Sequence, residues 1–246
     1  MKERGRAIWK AVELKTIEEN GLFLDNALST LNSKSLIIYF NHFSLLDPGV
    51  LLKSLQHHQK GRLDNVYVFT SRRHMDPSQG YALKFQSAIV NSVSKSEGFI
   101  PIEIIQKKDL DKYKEATKYN FEMLRKAIET LNTTGNIVLI APEGERSRTG
   151  GLQNADRTLE LLLERSKNTA LAYPVAMPHK SKIVPYFTTT RLIYGASTFS
   201  YEQLKNEVAD KRQQDGQNLT ITDIMMIKLA SLLPNKNRGC YARFFE

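Results

Sequence analysis

Short apolar runs that alternate with longer amphipathic stretches constrain the fold of this chain more than any other feature. Six apolar, β-branched or aromatic runs bounded by polar turns predict largely buried strands, at Leu36–Phe40, Val66–Thr70, Phe99–Ile104, Ile137–Ala141, Ala170–Ala176 and Tyr186–Ile193. Helical spacing predicts helices at Pro48–His58, Ser78–Val93, Asp109–Asn132, Ala155–Lys167, Tyr201–Arg212 and Asp223–Leu233. Strands that alternate with helices indicate an α/β protein, with a central, mixed but mostly parallel sheet flanked by helices.

The length of 246 residues suits one main domain, because no repeat and no linker rich in Pro, Gly or Ser divides the chain. We expect this domain to cover residues 35–246 and a separate helical segment to cover residues 1–34. The first fifteen residues combine several Lys and Arg with Ile8, Trp9 and Val12. This composition predicts either an interfacial helix on anionic lipid or a helix docked on the domain.

The net charge is +9, from 35 Lys and Arg against 26 Asp and Glu. This surplus favours an acidic partner: nucleic acid, anionic lipid, a phosphorylated substrate or an acidic carrier protein. The basic N-terminus is followed by no apolar stretch of signal-peptide type, and no run reaches the 18 residues of a membrane span. Cys240 is the only cysteine, which excludes an intramolecular disulfide. We therefore expect a cytoplasmic protein, with peripheral contact to the inner face of a membrane as an extension of that expectation.

A histidine and an aspartate follow the first predicted strand. His42 lies at the polar end of the strand, and Asp47 comes five residues later, directly before Pro48. If the carboxylate folds back onto the imidazole, it fixes the tautomer and leaves the second ring nitrogen as a general base. The alternative is structural, because Asp before Pro is also typical of a helix start and a lone histidine at a strand end is usually structural.

A loop dense in charge and glycine follows the strand at 137–141. Glycines permit close approach of the backbone to a ligand, and arginines offer forked donors for phosphate or carboxylate. A glutamate in such a loop can bind a substrate hydroxyl or hold an arginine in place. The alternative is a solvated surface turn. The candidate residues are Glu143, Gly144, Arg146, Ser147 and Arg148.

Together the two segments resemble a known family. The pattern N-H-x4-D-P at residues 41–48 and the pattern P-E-G-x-R-S at residues 142–147 resemble the first and third signature blocks of the glycerolipid acyltransferases, which include lysophosphatidate and glycerol-3-phosphate acyltransferases. A-Y-P-V at residues 172–175 is similar to the fourth block. The resemblance extends from about Ser35 to Val175 and implies a single domain with the glycerol-3-phosphate acyltransferase fold.

The resemblance also implies a mechanism. His42 would be the general base that deprotonates a glycerol hydroxyl, and Asp47 would orient and charge-stabilise it. The oxygen would attack the thioester of acyl-CoA or acyl-carrier protein directly, without an acyl-enzyme, a metal or a further cofactor. Glu143, Gly144 and Arg146 would bind the acyl acceptor, with Arg146 as phosphate ligand.

Two positions depart from the family pattern. Glu145 replaces the usual threonine of the third block, and an acid there repels a nearby phosphate unless it is paired with a cation. Glu103 stands where the second block normally has an arginine that contacts phosphate. Either the acceptor is not a simple phosphomonoester, or other cations bind its phosphate. Those cations are Arg72, Arg73, Lys107 and Lys108.

The predicted function is transfer of a fatty acyl group to lysophosphatidate or a related lysolipid in phospholipid biosynthesis. Glycerol-3-phosphate and a non-glycerol lysolipid are the alternative acceptors on the same scaffold. A non-enzymatic nucleic-acid-binding protein is the alternative from another class, but only net charge suggests it, and no helix-turn-helix, zinc finger or RNP-like string is present. We therefore expect no nucleic-acid partner. The apolar segment 224–229 with its two methionines is expected in the core, with contact to lipid or an acyl chain as the alternative.

Overall fold

The computed structural model describes residues 16–43, 47–75, 91–166, 168–178 and 190–246. The basic segment 1–15, with its predicted interfacial or docking helix, lies outside these residues. Most of the helix predicted at 78–93 also lies outside them, although residues 91–97 are helical.

Seven strands form one sheet in the described part of the chain. They are β1 (Thr16–Glu19), β2 (Ser35–Phe40), β3 (Val66–Ser71), β4 (Ile100–Ile104), β5 (Ile137–Ile140), β6 (Ala170–Ala176) and β7 (Thr190–Tyr194). Their order is β1-β7-β6-β2-β5-β3-β4, and every neighbouring pair is parallel except β6 and β7. The predicted α/β fold with a mixed, mostly parallel sheet is confirmed.

Six helices with complete boundaries accompany these strands in the same described ranges. They are α1 (Gly21–Ser29), α2 (Asp47–Gln59), α3 (Ala116–Leu131), α4 (Thr158–Arg165), α5 (Tyr201–Asp215) and α6 (Ile221–Ser231). The single helix predicted over 109–132 is wrong at its start. A 3-10 helix occupies Lys107–Lys112, and Glu115 takes a left-handed conformation with φ of 58° before α3 begins. The amide of Asn120 also bonds both backbone groups of Ile105, which holds this connection as a turn.

The sheet separates two apolar cores. All six residues of β2 are buried, as expected for a central strand that is covered on both faces. Ile37 and Tyr39 face one core together with α3, α4, α5 and α6, whereas Ile38 and its neighbours face α1 and α2 on the other side. Met225 and Met226 are fully buried in the first of these cores. The segment 224–229 is therefore core, as expected.

The region before residue 35 is only partly helical. Thr16–Glu19 is a strand that pairs in parallel with β7 at the edge of the sheet, so the predicted helical segment over 1–34 is wrong for these residues. This strand is hard to recognise in the sequence, because Glu18 is polar where a strand pattern would have an apolar residue. Its side chain points into a cluster of polar groups beneath α2. Helix α1 follows and buries Leu24 and Ala27 in the core that also contains α2.

A histidine between two carboxylates links β1, α1 and α2. His58 Nε2 lies 2.8 Å from Glu18 Oε2, and His58 Nδ1 lies 2.7 Å from Asp25 Oδ1. The Ser54 hydroxyl donates to Glu18 Oε1 at 2.6 Å. Burial lowers the pKa of His58, but the bonds and charges of the two carboxylates outweigh burial and raise it overall. Burial raises the pKa of Glu18, but the bonds from Ser54 and His58 outweigh that effect and lower it overall.

Replacement His58→Gln should lower the free energy of unfolding by about 1 kcal/mol at pH 6, because two hydrogen bonds to carboxylates are lost. The raised pKa of His58 means that its contribution is present at low pH and is lost as the pH rises through the folded-state pKa. The difference from wild type should therefore be smaller at pH 9. Urea unfolding at both pH values tests this, with the exposed neighbour His57→Gln as control. The same pH dependence in both variants would contradict the assignment.

Candidate active site

The predicted site residues meet at one edge of the sheet. Strands β2, β3, β4 and β5 are mutually parallel, so their carboxyl ends lie along the same edge, where ligands bind in open α/β sheets. The residues that follow these strands are His42 after β2, Arg72 and Arg73 after β3, Lys107 and Lys108 after β4, and Glu143, Gly144, Arg146, Ser147 and Arg148 after β5.

His42 and Asp47 are in contact. His42 Nδ1 lies 3.3 Å from Asp47 Oδ2, and the same oxygen accepts the Phe43 backbone N–H at 2.7 Å. The Asp47 side chain is only 1% exposed, whereas 19% of the His42 side chain is exposed. Asp47 is also the first residue of α2, so the same residue begins a helix and contacts the imidazole. This arrangement can fix the proton on Nδ1 and leave Nε2 as a base.

Glu143 binds the backbone on both sides of the site. Its Oε1 accepts the His42 N–H at 3.0 Å, and its Oε2 accepts the Gln153 N–H at 2.9 Å. Burial raises the pKa of Glu143 to about 7, the two backbone N–H groups oppose this shift, and the nearby charge of Asp47 adds to it. In the structure the carboxylate holds the loop and the histidine together.

Ser147 completes the connection between the two signature segments. Its backbone N–H donates to the His42 carbonyl at 2.7 Å. Its hydroxyl donates to the Gly151 carbonyl at 2.6 Å and accepts the Gly150 N–H at 3.1 Å. Gly144 takes a left-handed φ of 70°, which suits the tight turn after β5. Both backbone groups of His42 are therefore bonded by the loop of residues 142–153, which we call the β5 loop.

Comparison with known proteins identifies the family. The sequence profile of the family described as Acyltransferase matches residues 23–185, about two thirds of the chain. The chain belongs to the acyltransferase family. It is thus an enzyme, and not the non-enzymatic nucleic-acid-binding protein that net charge alone would also allow. The resemblance seen in the two motifs is confirmed.

A solved structure is also similar to this acyltransferase: the crystal structure of the 1-acyl-sn-glycerophosphate (LPA) acyltransferase PlsC from Thermotoga maritima. The two chains share 14% sequence identity, the TM-score is 0.43, and the match covers 89% of this chain and 79% of the other. No curated protein matches the sequence.

Arg146 and Arg148 are exposed on the β5 loop of this acyltransferase. Within the described ranges, neither guanidinium lies within 4 Å of a carboxylate. Glu145 lies between them in sequence and contacts Lys108, with 3.7 Å between Oε2 and Nζ. The Gln106 amide donates to the Gly144 carbonyl at 2.7 Å, so the loops after β4 and β5 are tied together.

Tyr119 contacts both Arg72 and the unusual Glu103. Its guanidinium carbon is 4.1 Å from the centre of the Tyr119 ring and 5.6 Å from that of Tyr113. The Tyr119 hydroxyl donates to Glu103 at 3.2 Å. The other basic candidates have different surroundings: Arg73 lies near Asp109, whose pKa is lowered mainly by its hydrogen bond from Lys112, and Lys107 is exposed.

Sequence reasoning missed three residues of this site. The Asn41 amide binds both backbone groups of Met177, at 2.9 and 2.7 Å, and so joins the ends of β2 and β6. Its place directly before His42 was the available signal. Gln153 and Tyr119 gave no signal, because no sequence pattern relates them to their partners Glu143 and Glu103, ten and sixteen residues away.

Among the residues that the structure describes, no three His, Cys, Asp or Glu side chains are arranged to hold a metal ion. Among the same residues, no helix has both the length and the apolar character to cross a bilayer.

Glu143→Gln should remove a pH-dependent contribution to stability. Because folding raises the pKa of Glu143 to about 7, the protonated carboxyl stabilises the fold at pH 5, and this contribution is lost as the pH rises through 7. We therefore subtract the free energy of unfolding of the variant from that of wild type. This difference should be about 2 kcal/mol larger at pH 5 than at pH 8. Denaturant unfolding at both pH values measures it. The exposed neighbour Glu145→Gln is the control, and an equal change in both variants would contradict the prediction.

Proposed function

We propose that this acyltransferase moves a fatty acyl group from acyl-CoA or acyl-carrier protein to a hydroxyl of lysophosphatidate or a related lysolipid, in phospholipid biosynthesis. One observation carries the proposal. His42, whose imidazole contacts Asp47, lies at the carboxyl edge of the sheet, and its backbone is hydrogen-bonded to a loop that carries two exposed arginines. A base for a hydroxyl and cations for a phosphate are the two groups that such an acceptor requires.

In the proposed mechanism, the ionised Asp47 accepts a hydrogen bond from His42 Nδ1–H, and Nε2 takes the proton of the acceptor hydroxyl. The oxygen attacks the carbonyl carbon of the thioester and forms a tetrahedral intermediate. The C–S bond then breaks, and the thiolate takes the proton from the imidazolium to leave as a thiol. Because Asp47 is buried against His42, its negative charge stabilises the imidazolium between these steps.

For the acceptor, we propose Arg146 as the main phosphate ligand and Arg148 as its supplement. Glu145 would repel a phosphate, but its contact with Lys108 offsets part of that charge. Arg72 is the further cation that we propose at this edge, because its guanidinium lies over the Tyr119 ring at the carboxyl end of β3 and has more N–H donors than one aromatic partner can occupy. Gly144 and Ser147 would shape the loop around the ligand.

The acceptor of such a reaction belongs to a membrane, and we propose a cytoplasmic enzyme in peripheral contact with anionic lipid. The net charge of +9 supports this contact. Two exposed apolar side chains near the acceptor edge also support it, Leu110 in the turn after β4 and Phe121 in the second turn of α3. Lys108 and Lys112 lie two residues from Leu110, beyond Asp109 and Asp111, and Lys118 lies three residues before Phe121.

His42→Ala should reduce the rate of acyl transfer by about 10³-fold, because the general base is lost. Asp47→Asn should reduce it by about 10²-fold, because His42 then lacks a negatively charged partner. Thiol release from acyl-CoA, and in parallel from acyl-carrier protein, measures the rate. His57→Ala is the control, an exposed histidine on α2. Unchanged turnover of His42→Ala would disprove the mechanism.

Arg146→Gln should raise the KM for a phosphate-bearing acceptor by about tenfold, because a charge-assisted hydrogen bond is lost. The KM for a monoacylglycerol, which has no phosphate, should not change. The panel contains lysophosphatidate, glycerol-3-phosphate and a non-glycerol lysolipid, so it also separates the alternative acceptors. Arg125→Gln, at an exposed arginine of α3, is the control. An equal effect on the phosphate-free acceptor would rule out Arg146 as phosphate ligand.

A further inference from the structure

The C-terminal segment of residues 235–240, which we call the C-terminal clamp, is bonded to the β5 loop. The Leu152 N–H donates to the Asn237 carbonyl at 3.0 Å, and the Cys240 N–H donates to the Leu152 carbonyl at 3.1 Å. The Asn237 side-chain amide donates to the Gly150 carbonyl at 2.7 Å. Asn237 is only 5% exposed, so this bond is shielded from water.

Two glycines bring the clamp and the loop into direct backbone contact. A Cβ added to Gly151 would lie 2.9 Å from Gly239 Cα. A Cβ added to Gly239 would overlap the backbone oxygen and nitrogen of Leu152, and Gly239 has a left-handed φ of 55°. No other residue type fits at 239 without moving the loop.

The clamp is fixed to the body of the domain. Arg238 Nε donates to the carbonyls of Ala230 and Leu233 at the end of α6, at 3.2 and 3.1 Å. Tyr241 follows directly and is buried in the core that contains α6. The clamp can therefore restrain the loop, because it is anchored to the end of α6 and to the core independently of the loop.

From the loop, the restraint continues to the catalytic histidine. Gly150 and Gly151, which the clamp contacts, are both hydrogen-bonded to the Ser147 hydroxyl. Ser147 in turn donates its N–H to the His42 carbonyl. The Phe43 ring packs 3.2 Å from the Cβ position of Gly150. A continuous set of contacts thus joins the clamp to His42.

We infer that Asn237 and Gly239 are positioning residues for acceptor binding. They hold the β5 loop so that Arg146 and Arg148 keep a constant distance from His42. A glycine-rich loop without this restraint would have to be ordered each time an acceptor binds, which weakens binding. This inference rests on the proposed function in one respect, the role of the two arginines.

The first experiment compares Gly239→Ala with Gly216→Ala in the full-length enzyme. Both glycines have a left-handed φ, 55° and 64°, but a Cβ at Gly216 meets nothing within 4 Å. The two variants therefore share the backbone strain and differ in contact with the loop. Gly239→Ala should raise the acceptor KM by about tenfold and leave the donor KM within about twofold, whereas Gly216→Ala should leave both unchanged. Equal changes in both KM values, or an unchanged acceptor KM, would overturn the inference.

Asn237→Asp is the second variant, because it keeps the shape and removes the donor to Gly150. It should raise the acceptor KM and leave the donor KM unchanged, as Gly239→Ala should. If Gly239→Ala does not fold, this variant tests the inference in its place.

Hydrogen exchange provides a readout that needs no substrate. Amides of residues 143–153 should exchange at least about tenfold faster in Gly239→Ala and Asn237→Asp than in wild type and Gly216→Ala. Equal exchange in all four proteins would overturn the clamp. If wild type transfers no acyl group to any acceptor, the proposed function fails, and exchange alone then supports or overturns the clamp.

Discussion

The arrangement of the active site depends on the two backbone hydrogen bonds of His42. Its N–H binds the buried carboxylate of Glu143, and its carbonyl accepts the N–H of Ser147. Both partners come from the β5 loop, more than a hundred residues later in the sequence. Adjacent parallel strands β2 and β5 bring the segments together, but strands alone would leave each loop free to move. The hydrogen bonds join two neighbouring loops into one unit that contains both His42 and the two exposed arginines.

The buried carboxylates of this unit cost free energy when the chain folds. Burial raises the cost of ionising Glu143, and the nearby charge of Asp47 adds to that cost, as the pKa of Glu143 near 7 reflects. Backbone N–H groups from His42, Phe43 and Gln153 compensate in part. A neutral side chain would cost less free energy to bury at this place. It would not offer two acceptor oxygens to N–H donors on opposite sides. The site therefore keeps an acid whose protonation changes near neutral pH.

The sequence predicts the central strands well and the site only in part. Strands β2, β3, β5 and β6 lie within one residue of their predicted bounds, because continuous β-branched and apolar runs leave few alternatives. Strand β1 was missed, since four residues with two glutamates carry no strand pattern and pair with the distant β7. Likewise, the motifs indicate which side chains meet at the edge of the sheet. They do not indicate that Glu143 binds backbone groups, because that depends on the distance between two loops in the folded chain.

The departure from the family pattern at Glu103 also has a physical account in the fold. Strand β3 pairs with β4 so that Thr70 lies beside Glu103, and the chain then places Arg72 just beyond that pair. The guanidinium of Arg72 lies over the Tyr119 ring, and the Tyr119 hydroxyl donates to Glu103, so one aromatic side chain contacts both charges. The acid on β4 thus lies near a cation that directly follows the neighbouring strand β3, so positive charge is present at the carboxyl edge of the sheet. A phosphate-bearing acceptor bound at this edge, as proposed, would meet a cation that follows β3 and not one on β4, and a difference of this kind alters the acceptor that an enzyme prefers while its chemistry stays the same.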